Sequence, residues 1–108
     1  MTKITFFKKN GKFFGFVVEG HTGKDEYGKD LLCAQISTVA QLAVVGMCEV
    51  GKFKVLKREI ADGYLRLVLD DSVYNNKLAQ FLFETCYESF KAIIIDEKKY
   101  AKLEVKNV

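Results

Sequence analysis

The dipeptide Asn10-Gly11 stands between two runs rich in Thr, Ile, Phe and Val, Thr2 to Lys8 and Lys12 to Glu19. Both central residues of a tight hairpin turn must accept positive φ, which Asn and Gly do at little cost, so this spacing predicts a β-hairpin. Lys52 to Ile60, the turn Ala61-Asp62-Gly63 and a return strand with Leu65, Leu67 and Leu69 on one face predict a second. Two hairpins imply substantial antiparallel pairing.

Helical patterns occupy the segments between and after the hairpins. Leu32, Ile36, Val39, Ala43, Met47 and Val50 recur at spacings of three and four, which predicts a helix from about Leu31 to Val50. A second helix is predicted from about Asn76 into the nineties, with Asn75 as its cap and Leu78, Leu82, Cys86, Phe90 and Ile93 or Ile94 facing inward. After Asp96-Glu97-Lys98-Lys99, Ala101, Leu103 and Val105 alternate with Lys102, Glu104 and Lys106, the period of a strand. The order is β-β-α-β-β-α-β, an α+β sandwich with a mainly antiparallel sheet and two helices. A chain of 108 residues, 49% of them hydrophobic, has material for one core. Residues 1–108 are therefore expected to form a single domain.

The N-terminal run Met1 to Lys8 meets charge within a few residues, unlike a signal peptide, and charges are expected to interrupt every apolar run well short of the ~20 residues that cross a bilayer. A cytoplasmic location away from the membrane follows as an expectation. Three cysteines in a reducing compartment point to thiols rather than to disulfides. The net charge of +3 is spread over scattered lysines, a weak basis for nucleic-acid contact. Phe13, Phe14 and Phe16 could stack on bases, but Phe14 and Phe16 are expected to share a face that forms core.

Chemistry concentrates between Gly20 and Ser37. Three glycines, Gly20, Gly23 and Gly28, lie in a loop that follows a strand and precedes a helix. Asp30 is placed as the helix N-cap, which puts Cys33 in the first turn, beside unpaired N–H groups and the positive end of the helix dipole. Both favour the thiolate. His21, the single histidine, ends the preceding strand, so strand end and helix start can meet across the loop and supply the pair that thiol nucleophiles use. A turn histidine and a packed cysteine would carry the same spacing, and Cys48 and Cys86, set in apolar stripes, are read as such core thiols. Cys33 and Cys48 lie about 22 Å apart along one helix and cannot share an ion; no zinc, Walker or dinucleotide spacing is present. No metal or cofactor is expected.

Gly20-His21, a short gap, Gly28-x-Asp30-Leu-Leu-Cys33-Ala34 and then Ser37 resemble the signature of the bacterial ribosomal-processing cysteine proteases, as does the element order along nearly the whole chain. The resemblance implies His21 and Cys33 as a catalytic dyad, with Gly20, Gly28, Asp30, Ala34 and Ser37 as motif positions around it. It further implies removal of a short N-terminal extension, containing consecutive aromatic residues, from the precursor of a large-subunit ribosomal protein of the bL27 type, and a homodimer. Thr22 departs from the pattern, where a small apolar residue is usual, and its hydroxyl stands next to the base in sequence. Lys24, Asp25 and Glu26 fall in the variable loop and are read as solvated. Two rivals remain: a non-catalytic ribosome- or RNA-associated binding module, and an interaction protein whose apolar first helix dimerises.

Overall fold

The computed structural model describes residues 1–26 and 29–108. The first hairpin pairs β1 (Thr2–Lys9) with β2 (Lys12–Glu19) across Asn10 and Gly11, whose φ values of 50° and 78° are the positive ones such a turn requires. A second hairpin, β3 (Val55–Ala61) and β4 (Tyr64–Leu69), joins through β4 to β2, and β5 (Ala101–Asn107) lies parallel to β1 at the far edge. The five-stranded order is β3-β4-β2-β1-β5, antiparallel except at that last pair.

Two helices lie over the face that presents Ile4, Phe6, Phe16 and Leu67, all fully buried. Phe6 occupies the centre, its ring 5.6 Å from Phe13, 5.3 Å from Phe16, 5.3 Å from Tyr87 and 5.9 Å from Phe90. A bulge decides which phenylalanines join this cluster. Phe7 pairs with Gly15 and Lys8 with Phe13, so Phe14 has no partner on β1 and the alternation shifts by one residue. Phe13 and Phe16 therefore share the helix-covered face, whereas Phe14 turns to the other face beside Phe7, 6.0 Å ring to ring. The expectation that Phe14 and Phe16 share a face is corrected by that extra residue.

The first helix, α1 (Leu31–Val44), continues as a π-helical turn over Val45–Val50, closed by the Gly51 N–H bonding to the Gly46 carbonyl at 2.7 Å. Wider winding there rotates Val50 outward, 77% exposed, while Leu32, Ile36, Ala40, Ala43, Val44 and Met47 are buried. At 20 residues, Leu31–Val50 is long and apolar enough to cross a membrane by length and composition, so charges do not interrupt every apolar run as anticipated. Its inner face is part of the core. Polar Gln35, Ser37, Thr38 and Gln41 lie on the exposed side.

The second helix, α2 (Lys77–Ile94), is capped by Asn76, whose side chain accepts from the Ala79 N–H at 3.0 Å, rather than by Asn75. Its buried stripe is Ala79, Phe83, Cys86, Phe90 and Ile94, with Leu78 outside at 75% exposure. A run spaced strictly by four overshoots a turn by about 40° per step, so Leu78 stands about 80° from Cys86 while the mixed steps of four and three stay on one face. Both helices thus keep their predicted extent but not every predicted contact.

Truncating Phe6 to Ala should cost about 3–5 kcal/mol, because its site is walled on every side by rings. Leu78→Ala should stay within about 0.5 kcal/mol. Urea unfolding of the two variants beside the parent checks both values.

Candidate active site

The end of β2 is fixed by backbone contacts. Gly20 N–H donates to the Gly63 carbonyl at 2.8 Å, joining the strand end to the β3–β4 turn, and the Thr2 hydroxyl donates to the Gly20 carbonyl at 3.3 Å. A Cβ at position 20 would lie 2.4 Å from the Met1 carbonyl oxygen, so a side chain there would break this packing. His21 follows at once, and its Nε2 lies 3.8 Å from Oδ2 of Asp62 in the hairpin turn. The ring rests against Gly63, where a Cβ would come within 2.7 Å of Nε2.

Asp30 fixes the other side. One carboxylate oxygen accepts from the Cys33 N–H at 2.9 Å and caps α1; the other accepts from the Lys24 N–H at 3.0 Å, the Asp25 N–H at 3.3 Å and the Thr22 hydroxyl. Thr22 is buried, and its hydroxyl serves the helix cap rather than the imidazole. These donors, the Thr22 hydroxyl first and the Cys33 N–H next, hold the Asp30 carboxyl at about 2 against an ordinary 3.8. The variable loop is also tied outward: Lys24 Nζ pairs with Glu97 and stands 5.8 Å from the centre of the Tyr100 ring, so this lysine is not merely solvated. Its ammonium is held above the usual lysine range chiefly by the Glu97 hydrogen bond.

Between these two anchors opens a cavity of about 590 Å³. Gly20, His21, Asp30, Cys33, Ala34 and Ser37 all line it, so six of the residues singled out in the sequence meet around one space; Gly28 lies outside the described residues. Val18, Ile36, Ala40, Ile60 and Leu65 form an apolar wall. Gln41 donates through Nε2 to the Ser37 hydroxyl at 2.9 Å on the rim. The β3–β4 turn, some forty residues downstream, also lines the cavity, although Asp62-Gly63 reads locally in the sequence only as a turn. Among the described residues no cluster of His, Cys, Asp and Glu could hold a metal ion.

Residues 1–102 match the family model described as cysteine protease Prp. The chain belongs to the cysteine protease Prp family. Its fold is similar to that of the essential ribosomal processing protease Prp from S. aureus in complex with a covalently linked product peptide, with a TM-score of 0.88 and 24% identity over 98% of this chain and 100% of the other. A second structure of the S. aureus protease, with a substrate peptide, gives a TM-score of 0.82 at 23% identity over 98% and 100%. SMU.848 from Streptococcus mutans gives 0.83 at 23% identity over 100% and 96%. No curated protein matches the chain significantly.

A cysteine protease needs one accessible thiol that ionises readily, and the three thiols of this family member stand in different surroundings. Burial pushes the Cys86 thiol up to about 11 and the half-buried Cys48 thiol upward as well. Cys33 is half-buried, on the cavity, in the first turn of α1. Iodoacetamide at neutral pH should therefore modify Cys33 first, and peptide mapping that found Cys48 or Cys86 labelled ahead of it in folded protein would contradict this assignment.

The depressed Asp30 carboxyl gives a second prediction. A group whose folded value lies below its unfolded one contributes stability that is present above the unfolded value and lost as the pH falls through the folded value. Protection of the Lys24 and Cys33 amides should hold steady above the ordinary 3.8 and disappear as the pH falls through about 2. Amide NMR across that window measures it; Asp30→Ala should remove the same protection at neutral pH.

Proposed function

We propose that Cys33 and His21 are the catalytic dyad of this protease, and that the substrate is the precursor of a large-subunit ribosomal protein of the bL27 type, trimmed of a short N-terminal extension. This reading is carried by the single histidine and the helix-start cysteine lining one cavity, the first beside the β3–β4 turn and the second at the Asp30 cap. The S. aureus relatives, crystallised with substrate and product peptides, support the substrate class.

In this reading His21 takes the Cys33 proton, and the thiolate attacks the scissile carbonyl to form a tetrahedral adduct. Collapse expels the amine, which His21 protonates, and leaves an acyl-enzyme. Water, deprotonated by His21, then releases the acid and restores the thiol. The Cys33 N–H is committed to Asp30, so the oxyanion falls to other backbone donors near the helix start, each worth about 3 kcal/mol. Asp30, Ala34, Ser37 and Gly20 shape the cavity without entering the chemistry. The apolar wall suits the aromatic residues of the extension. We place the reaction in the cytoplasm, with the enzyme a homodimer.

The uncovered sheet face favours a second reading, a ribosome- or RNA-associated binding module. There the Arg66 guanidinium carbon stands 5.7 Å from the centre of the half-buried Phe7 ring, next to Phe14. Of the three aromatics of β2, Phe13 and Phe16 are core and unavailable for stacking.

Single-turnover cleavage of a precursor, read by mass spectrometry, separates the readings. Cys33→Ala should abolish cleavage, and His21→Ala should lower it by about three orders of magnitude or more, with the double variant little worse than either. Circular dichroism and precursor affinity should stay parental. Cleavage by Cys33→Ala near the parental rate would sink the dyad, whereas binding without cleavage by the parent itself would favour the module.

A further inference from the structure

We infer that Asp62, at the tip of the β3–β4 hairpin, is the positioning residue of His21: its carboxylate faces Nε2 and fixes the ring orientation in which His21 serves the Cys33 thiol. The inference rests on the proposed dyad and supplies its orienting group. A histidine that serves a nucleophile needs one tautomer and one ring orientation, and both are set by what the other ring nitrogen meets.

Three carboxylates line the cavity: Asp25, Asp30 and Asp62. Asp30 has both oxygens engaged with the Cys33 amide and the loop, and Asp25 accepts from the Glu26 N–H at 2.8 Å. Asp62 is the carboxylate that lies within ion-pair reach of His21 among the described residues, at 3.8 Å from Nε2. That separation exceeds a hydrogen bond in the resting protein and can tighten once the ring takes the thiol proton and becomes an imidazolium.

The turn also provides the seat. Gly63 has φ +68°, and the missing side chain leaves the space in which Nε2 sits, since a Cβ there would approach to 2.7 Å. The bond from Gly20 N–H to the Gly63 carbonyl binds the residue before the histidine to the residue after the aspartate. Ring and carboxylate are therefore carried by one rigid joint.

Magnitude follows from exposure. The Asp62 side chain is 76% and the His21 side chain 47% accessible, so solvent screens the pair. Removing the charge should lower turnover by about two- to fivefold, far less than removing the histidine.

The test measures kcat and KM on a fluorogenic peptide with two consecutive phenylalanines, and the rate of Cys33 alkylation by iodoacetamide, for the parent, Asp62→Asn, Asp62→Glu and His21→Ala. Expected for Asp62→Asn are a fall of about two- to fivefold in kcat and in alkylation rate with KM unchanged, and recovery of most of both by Asp62→Glu. Parental kcat and alkylation in Asp62→Asn, with both rates lowered in His21→Ala, would overturn the inference and leave the dyad standing. A change confined to KM would also overturn it, assigning Asp62 to substrate contact. Parental alkylation and cleavage in His21→Ala would remove the dyad itself, and the inference with it.

Discussion

The two oxygens of the Asp30 carboxylate hold the site together. One caps α1 through the Cys33 N–H, and the other gathers the Thr22 hydroxyl and the Lys24 and Asp25 amides. Helix start and loop are thereby one unit, and the place of Cys33 depends on the Asp30 carboxylate. A single carboxylate can do this because its oxygens offer about four acceptor sites, and the donors in turn keep it ionised, with its carboxyl at about 2. Thr22 supplies one of those donors, so its hydroxyl serves the cap rather than the neighbouring His21 ring.

The sheet delivers the partner. Packing of Phe6 against Phe13, Phe16, Tyr87 and Phe90 fixes β1, β2 and α2 relative to one another, while α1 lies across the same face and forms the other wall of the cavity. β2 ends beneath the β3–β4 turn, with Gly20 bonded to Gly63, and His21 emerges where the cavity opens. Aromatic packing outside the cavity lining therefore sets the frame on which His21 and Cys33 come to line one space.

Much of this was legible in the sequence because its signals are local. Asn10-Gly11 specifies a turn by backbone geometry alone, and Asp30 three residues before Cys33 specifies a cap by side-chain reach. The hidden parts depend on contacts between distant segments or on small changes of phase. Phe14 departs from its predicted face through one unpaired residue in a strand, and Leu78 departs from its predicted stripe through the drift of a four-residue repeat on a 3.6-residue helix. Asp62 is the plainest case: nothing within ten residues of it marks chemistry, and only the pairing of β2 with β4 brings the hairpin tip to His21.

If Cys33, activated by His21, attacks a peptide carbonyl, an acyl-enzyme forms on that thiol. Intact-mass spectrometry of the parent, quenched in acid within the first turnover on a peptide ester, reads this step itself, because an acyl-enzyme adds the mass of the N-terminal product less one water. A single adduct that maps to Cys33 is expected in the parent and none in His21→Ala. An adduct on Cys48 or Cys86, or undiminished acylation of Cys33 in His21→Ala, would contradict it.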